Sequence, residues 1–219
     1  MTVVLCGSLG ATSSIFDAQA PVLEDVVRVE HPGHDGAPPA EVRTVADLAA
    51  RVTEDRFSFV GVSLGGAVGM QLALSAPERL DKLVLACTSA RFGEPAQWSE
   101  RAAQVREEGL EAIVDAVLAR WFTGDVPDGF REMFLSTDRE SYAQCCEALA
   151  QWDVREELGA IDVPTLVIAG EQDPSTPPEH GELIAARIPG ARLEVIPNAA
   201  HLANVERAME FNRLLEEHL

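Results

Sequence analysis

Positive charge is scarce in this chain. Lysine and arginine together number 17 against 36 acidic residues, so the formal net charge is −19. A surface of this sign repels nucleic acids and anionic membranes, and the sequence therefore predicts neither as a partner. The acidic residues are spread along helical segments, which is typical of solvated helix faces. A small anionic substrate would have to be held by local arginines against this field.

Long apolar runs are also missing. No segment approaches the roughly 18 consecutive apolar residues that a membrane-spanning helix needs, and no secretory signal follows Met1. We therefore expect a cytoplasmic protein. With 219 residues, the chain is long enough for one large domain, or for one domain that carries an inserted subdomain.

Cysteine is rare and lacks the spacing of a metal or redox site. The four cysteines are Cys6, Cys87, Cys145 and Cys146. None belongs to a C-x-x-C pair, and no histidine lies at zinc-ligand distance from two of them. We expect buried free thiols, no metal site and no cofactor.

The chain does have a regular alternation of short apolar runs and helical segments. We predict six strands, at residues 3–5, 26–29, 57–60, 82–86, 165–169 and 192–196. Helices are predicted between and after them, at residues 15–23, 45–52, 67–75, 179–187 and 205–218. This order predicts right-handed crossovers, and therefore an α/β fold with a mainly parallel sheet and helices on both faces.

Between residues 89 and 157 the strand pattern is absent. Four helical segments are predicted there, at residues 95–107, 110–122, 128–135 and 141–152. All three tryptophans of the chain lie in this block. We interpret residues 91–155 as a helical cap inserted into a core formed by residues 1–90 and 156–219, where it would cover the working edge of the sheet.

The stretch Gly61-Val62-Ser63-Leu64-Gly65 lies where the third strand meets a helix. A nucleophile on such a sharp turn has a strained backbone, and the residues two positions away on either side must be small. Gly61 and Gly65 meet this requirement. Ser63 is therefore the predicted nucleophile, and the Leu64 backbone N–H, at the helix N-terminus, is a predicted oxyanion donor. A glycine turn without any chemistry is the alternative interpretation.

A serine hydroxyl needs a base and an orienting acid to become nucleophilic. Asp173 follows the fifth predicted strand and His201 follows the sixth. Both come after Ser63, and they lie at the carboxyl ends of strands, where catalytic groups gather in parallel sheets. We predict Asp173 as the orienting acid and His201 as the base. Glu171, in the same loop as Asp173, is the alternative acid.

The remaining histidines and the first loop complete the set of candidates. His31 and His34 are expected to shape a loop, whereas His180 and His218 are expected to be solvated. The loop after the first strand, Gly7-Ser8-Leu9-Gly10, is the expected source of the second oxyanion donor, for which we choose the Leu9 backbone N–H. A loop that only turns the chain is compatible with the same residues.

Together these residues resemble the α/β-hydrolase family, and within it the enol-lactonases that act on 3-oxoadipate enol-lactone. The resemblance rests on the opening loop SLGATSSIFDAQAPVL, the turn GVSLGGAVG and the acid and histidine region TLVIAGEQDPSTPPEHGELIAARIPGARLEVIPNAAHLANVE. Its most specific part is the cap, in CTSARFGEPAQWSERAAQVREEGLEAIVDAVLARWFT and SYAQCCEALAQWDVREELGAI. It covers nearly the whole chain.

The resemblance implies a core sheet with a helical lid and hydrolysis of 3-oxoadipate enol-lactone to 3-oxoadipate, in aromatic degradation through the β-ketoadipate route. It implies Ser63 as nucleophile, Asp173 as acid, His201 as base, and Leu9 with Leu64 as oxyanion donors. A general carboxylesterase or a cofactor-free perhydrolase would use the same three side chains. A ligand-binding protein that retains the fold with little turnover is an alternative of another class.

Two stretches depart from the family pattern. Family members usually carry an N-terminal β-hairpin before the first strand found here, whereas this chain begins almost directly on Val3. The usual D-x-R-G-H-G-like segment reads Glu30-His31-Pro32-Gly33-His34-Asp35. We expect six parallel strands with residues 26–30 at one margin, where Arg28 and Glu30 would blunt the edge. The edge is expected to be free in a monomer or paired across a homodimer.

The implied substrate carries a carboxylate, and a desolvated anion needs a hydrogen-bonding cation. Arg120 and Trp121 end a predicted cap helix, and Arg91 follows the strand that leads into the cap. We predict these three as substrate-binding residues. For Arg120, a solvated charge at a helix end is the alternative interpretation.

Overall fold

A parallel sheet of six strands forms the centre of the fold in the computed structural model, which describes residues 1–219. Its strands are β1 (Thr2–Cys6), β2 (Asp25–Val29), β3 (Phe57–Val62), β4 (Leu80–Ala86), β5 (Thr165–Gly170) and β6 (Arg192–Ile196). They lie side by side in the order β2-β1-β3-β4-β5-β6, and every neighbouring pair is parallel. The predicted parallel sheet is confirmed.

Strand β2 forms one margin of this sheet, as predicted. It pairs only with β1, from Thr2 opposite Asp25 to Cys6 opposite Val29. Its residues are exposed or half-buried, whereas the whole of β3, in the interior of the sheet, is buried. Arg28 on β2 donates a hydrogen bond of 2.6 Å to Asp17. A charged, partly solvated strand of this kind is a poor template for further pairing.

Nine α-helices surround the sheet. They are α1 (Val45–Ala49), α2 (Leu64–Ser75), α3 (Pro95–Glu108), α4 (Val114–Trp121), α5 (Phe130–Leu135), α6 (Arg139–Ala150), α7 (Pro178–Arg187), α8 (Ala203–Glu206) and α9 (Ala208–His218). None of them combines the length and the apolar character that a membrane crossing requires. Helices α3 to α6 lie between β4 and β5, in the block that lacks a strand pattern.

Three predicted helices differ from the observed ones. The helix predicted at residues 15–23 is instead two short 3₁₀ turns, because Pro21 lies within it and has no N–H to continue a helical ladder. The helix predicted at 110–122 begins as a 3₁₀ turn and becomes α4 only after Ile113. The single terminal helix predicted at 205–218 is broken at Arg207, whose φ of −125° and ψ of 47° are not helical.

The core is one continuous cluster of 64 buried residues that includes both the sheet and the helices α3 to α6. Phe134 makes edge-on contacts with Trp121 and Tyr142, at ring-centroid distances of 5.9 and 5.4 Å. The rings of Phe134 and Tyr142 also lie against Gly10, in the loop after β1. The helical block therefore packs directly on the loops at the carboxyl ends of the strands.

Candidate active site

Ser63 occupies a strained turn between β3 and α2, with φ of 58° and ψ of −113°. Glycine is required on either side of it. A Cβ at Gly61 would lie 2.2 Å from the carbonyl oxygen of Gly65, and a Cβ at Gly65 would lie 2.0 Å from the carbonyl oxygen of Cys6. The spacing of the two glycines around Ser63 therefore has a steric cause, and the turn itself projects the serine beyond the end of the strand.

The structure brings together the three residues predicted to act on the substrate. The Ser63 hydroxyl lies 2.9 Å from His201 Nε2. When Nε2 carries no proton, the hydroxyl donates a hydrogen bond to it. His201 Nδ1–H in turn donates to Asp173 Oδ2 at 2.8 Å. All three side chains are buried, and each lies in the loop or turn that directly follows a strand. They form an unbroken hydrogen-bonded chain from hydroxyl to carboxylate.

Asp173 is held by more hydrogen bonds than the one from His201. The backbone N–H groups of Ser175 and Thr176 donate to Oδ1 at 2.8 and 3.1 Å, and the Thr176 hydroxyl donates to Oδ2 at 2.6 Å. Burial opposes ionisation of this carboxyl, but the facing His201 and the hydrogen bonds outweigh it and lower the pKa of Asp173. The carboxylate is thus ionised and fixed in orientation.

Glu171, the alternative acid, lies elsewhere. Its side chain is exposed and accepts a hydrogen bond of 3.0 Å from the backbone N–H of Asn198. It makes no contact with His201, so the geometry favours Asp173 as the orienting carboxylate.

The backbone N–H groups of Leu9 and Leu64 donate no hydrogen bond within the chain. Leu64 is the first residue of α2, and Leu9 lies in the loop after β1 and lines the same cavity as Ser63. The Gly65 N–H donates to the Gly7 carbonyl at 3.0 Å, which ties this loop to the serine turn. Two free donors therefore flank Ser63, as an oxyanion site requires.

Two buried histidines fix the Leu9 loop from below. His31 Nε2 donates to the carbonyl of Gly7 at 2.9 Å. His34 Nδ1 donates to the carbonyl of Pro32 at 2.9 Å, which leaves Nε2 free to accept from the Gly10 N–H at 3.0 Å. Burial lowers the pKa of His31 to about 4 and that of His34 to about 3, so both are neutral at neutral pH. These contacts agree with the loop-shaping role expected from the sequence.

The other two histidines are not solvated as predicted. His180 is half-buried, and its Nδ1 has no hydrogen-bond partner in the chain. His218 is also half-buried, because the last turn of α9 packs near β4, and its Nε2 donates to the carbonyl of Leu83 at 3.2 Å. Neither lines the cavity that contains Ser63.

A cavity of about 330 Å³ lies above Ser63 and His201. Its far wall comes from the helices between β4 and β5 and includes Trp98, Arg101, Val117, Arg120, Trp121 and Tyr142. Two of the three predicted substrate-binding residues, Arg120 and Trp121, are therefore in place. Arg91 is not: it pairs with Glu94 at 3.1 Å and lines a separate surface pocket beside His180.

Sequence reasoning missed Arg101. It lies three residues after Trp98 on α3, so the two side chains share one face of that helix. That spacing was the available signal, but helix periodicity alone does not show which face of α3 meets the cavity.

The remaining reactive groups do not form a second site. No group of three or more His, Cys, Asp or Glu side chains could hold a metal ion. All four cysteines are buried free thiols, and burial raises the pKa of each, so none is a ready nucleophile.

Comparison with known proteins places this site in a family. Residues 3–214 match the sequence pattern described as "Alpha/beta hydrolase family". The chain belongs to this family. It is an ester-bond hydrolase, and the family resemblance identified from the sequence is confirmed.

The similar proteins within this family include enol-lactonases and an esterase. The chain is 36% identical to "3-oxoadipate enol-lactonase 2" from Acinetobacter baylyi, across 98% of this chain and 86% of that protein. The crystal structure of the enol-lactonase from Burkholderia xenovorans superposes with a TM-score of 0.94 at 35% identity, covering 99% of this chain and 90% of the other. A thermophilic esterase from Thermogutta terrifontis superposes with a TM-score of 0.91 at 26% identity, covering 99% of this chain and 88% of the other.

Proposed function

We propose that this protein opens 3-oxoadipate enol-lactone to 3-oxoadipate, a reaction of aromatic degradation by the β-ketoadipate route. The observation that carries the proposal is the hydrogen-bonded chain from Ser63 through His201 to Asp173, at the floor of a small cavity. The 36% identity to a 3-oxoadipate enol-lactonase supports this choice of substrate. A cavity of about 330 Å³ is at the small end of ligand pockets, which suits a single lactone ring with a short side chain.

In the first half of the reaction, Ser63 Oγ attacks the lactone carbonyl carbon and its proton passes to His201 Nε2. Asp173 holds the imidazole and stabilises its positive charge. The N–H groups of Leu9 and Leu64 receive the oxyanion. When the tetrahedral intermediate collapses, the ring C–O bond breaks and His201 returns the proton to the departing enol oxygen. Because the ester is cyclic, the opened molecule stays attached to Ser63 as an acyl-enzyme.

In the second half, a water molecule attacks the acyl carbon while His201 removes its proton. The same oxyanion donors stabilise the second intermediate, and His201 then protonates Ser63 Oγ as it leaves. The enol tautomerises to the ketone. One lactone and one water thus give one 3-oxoadipate.

Within this proposal, residues 91–155 serve as the cap that closes the cavity over the core of residues 1–90 and 156–219. Trp121 contributes an apolar wall, since its side chain is buried beside the cavity. Arg120, on the same helix, is exposed and forms no ion pair, so it supplies positive potential at the cavity and draws an anionic substrate toward it.

A general carboxylesterase is the second candidate, because the same three side chains act on open-chain esters. The similarity to the Thermogutta terrifontis esterase favours it. The two candidates differ in the shape and charge of the preferred substrate rather than in the machinery that attacks the ester.

The test is a panel of 3-oxoadipate enol-lactone, simple neutral lactones and aryl esters, assayed with the wild-type protein and the Ser63→Ala variant. We expect kcat/KM for the enol-lactone to exceed that of every other substrate by about 100-fold or more, equal to about 2.7 kcal/mol of transition-state binding. A preference for aryl esters would support the carboxylesterase instead. Binding without turnover of any substrate would support the ligand-binding alternative.

A further inference from the structure

Arg101 is a cavity-lining arginine without an acidic partner. It lies on α3, half-buried, and no carboxylate lies within ion-pairing distance of it. By contrast, Arg106 on the same helix binds both Glu140 and Glu147, at 2.8 and 2.5 Å. In a chain with 36 acidic residues and 17 basic ones, an arginine that faces a cavity and pairs with none of them is available to a ligand.

The guanidinium of Arg101 is held in place by an aromatic ring. It lies over Trp98, 4.7 Å from the ring centroid. Trp98 is itself fixed, because its Nε1–H donates to the carbonyl of Phe92 and its ring meets Phe92 edge-on at 6.4 Å. Stacking on a fixed indole orients the planar fork of the arginine while leaving its N–H groups free. The cation therefore needs little reorganisation to bind an anion.

Tyr142, the only tyrosine of the chain, supplies a second donor at the same place. Its side chain is 1% exposed, its ring packs against Phe134, and it lines the cavity beside the Arg101 guanidinium. Burial raises the pKa of its hydroxyl, so it stays protonated. The Tyr142 O–H donates no hydrogen bond within the chain, and a guanidinium cannot accept one, so this donor is available to a ligand in the cavity.

We infer that Arg101 and Tyr142 form an anion subsite that binds a carboxylate on the side chain of the substrate. The arginine fork donates two N–H groups and the tyrosine donates its O–H. Together these donors satisfy much of the hydrogen-bonding capacity of a desolvated carboxylate. Since Ser63 and this pair line one cavity of about 330 Å³, one small molecule can contact both. The inference rests on the proposed function for the reacting ester. The subsite would make the protein selective for lactones or esters that carry a carboxylate.

The test compares two lactones that differ in whether they carry the carboxylate: the enol-lactone with its carboxymethyl group, and the same ring with a neutral methyl group in its place. Arg101→Gln is expected to lower kcat/KM for the carboxylate lactone about 30-fold and to change that of the neutral lactone less than about twofold. Arg101→Lys keeps the positive charge but not the planar guanidinium, and its kcat/KM for the carboxylate lactone is expected to lie between the values of the wild type and Arg101→Gln. Tyr142→Phe is expected to lower only the carboxylate value, about fivefold. Arg139→Gln, in the cap but outside the cavity, leaves both values unchanged.

A second measurement keeps this inference separate from the proposed function. Glutarate is tested as a competitive inhibitor of aryl acetate hydrolysis, with neutral glutaramide as the control. Inhibition that weakens at least tenfold in Arg101→Gln supports the anion subsite even if neither lactone is a substrate, in which case only the proposed function fails. Equal losses for both lactones in Arg101→Gln, or glutarate inhibition that is unchanged in that variant, would overturn the subsite.

Discussion

The hydroxyl of Thr176 donates a hydrogen bond of 2.6 Å to Oδ2 of Asp173, the same carboxylate oxygen that accepts from His201. In the proposed mechanism Thr176 acts on His201 through Asp173, as a positioning residue. Its backbone N–H also donates to the other carboxylate oxygen, so the loop after β5 forms hydrogen bonds with both oxygens of Asp173.

Replacing Thr176 with valine removes this hydroxyl with little change in shape. We expect kcat to fall about tenfold, because a hydrogen bond to a charged group is worth roughly 1.5–3 kcal/mol and only part of it is realised at the transition state. KM should hardly change. Thr176→Ser, which keeps the hydroxyl, should restore most of kcat. A Thr176→Val enzyme with normal kcat, or a loss that serine does not rescue, would show that Thr176 has no positioning role.

Glu206 connects the segment after α4 to the loop that contains His201. Its carboxylate accepts from the Ala200 N–H at 2.7 Å, directly before His201, and from the N–H and hydroxyl of Thr123 at 2.7 and 2.8 Å. Beside it, the Leu202 N–H donates to the carbonyl of Trp121 at 3.0 Å. The end of α4 and the loop that carries the base are therefore fixed to each other.

Glu206→Gln leaves one of these acceptor oxygens as an NH₂ group, which cannot accept from an N–H. We expect the free energy of unfolding to fall by about 2 kcal/mol, equivalent to roughly 4–8 °C in Tm for a chain of this size, together with a several-fold loss of kcat. Glu182→Gln, at an exposed position, is the matched control and should stay within about 0.5 kcal/mol. Equal Tm values for the two variants, measured by thermal unfolding, would contradict this role.

The buried histidines beneath the Leu9 loop make stability depend on pH. Burial depresses the folded-state pKa of His31 to about 4 and that of His34 to about 3, below their unfolded values near 6.5. The unfolded chain thus binds more protons between these limits, so stability is complete above about pH 6.5 and is lost as the pH falls. We expect a loss of roughly 1–2 kcal/mol per histidine between pH 7 and pH 5.

The measurement is urea unfolding at pH 7 and pH 5. His34→Gln can still accept from the Gly10 N–H but cannot titrate, so it should lose less stability than the wild type over this interval. Carboxylates titrate equally in both proteins and cancel in the comparison. An identical loss in the two proteins would contradict a neutral, hydrogen-bonded His34.

The serine turn should not tolerate a methyl group at Gly65. An added Cβ there would lie 2.0 Å from the carbonyl oxygen of Cys6, and this neighbour is backbone, which cannot move aside as a flexible side chain can. We expect Gly65→Ala to lower the free energy of unfolding by about 3 kcal/mol or more, measured by denaturant unfolding. Gly124→Ala, where an added Cβ meets nothing within 4 Å, should be nearly neutral. A stable Gly65→Ala protein would refute the close approach of β1 to the turn.

Much of this fold could be predicted because the relevant signals are local. Strands β3 and β5 are short apolar runs buried along their whole length, and the serine turn is marked by glycines whose necessity is steric. Ser63, Asp173 and His201 each follow a predicted strand. Because parallel strands end at the same edge of a sheet, a parallel sheet was enough to predict that the three side chains lie close together.

What could not be predicted depends on tertiary packing. The sequence does not show which of Arg91 and Arg101 lines the cavity. In the folded chain Arg91 forms an ion pair with Glu94, whereas Arg101 stacks on Trp98. The burial of His218 likewise depends on how α9 packs near β4, which helix periodicity does not contain.

The central claim is that Ser63 is the nucleophile, and the most direct test is the turnover of 3-oxoadipate enol-lactone by Ser63→Ala beside the wild type. Removing one member of such a hydrogen-bonded unit costs about as much as removing all of it, so kcat should fall by about 10⁴-fold or more. The variant should retain its fold, since Ser63 is buried and the change only removes its hydroxyl. A folded Ser63→Ala protein with near-normal turnover would contradict the account.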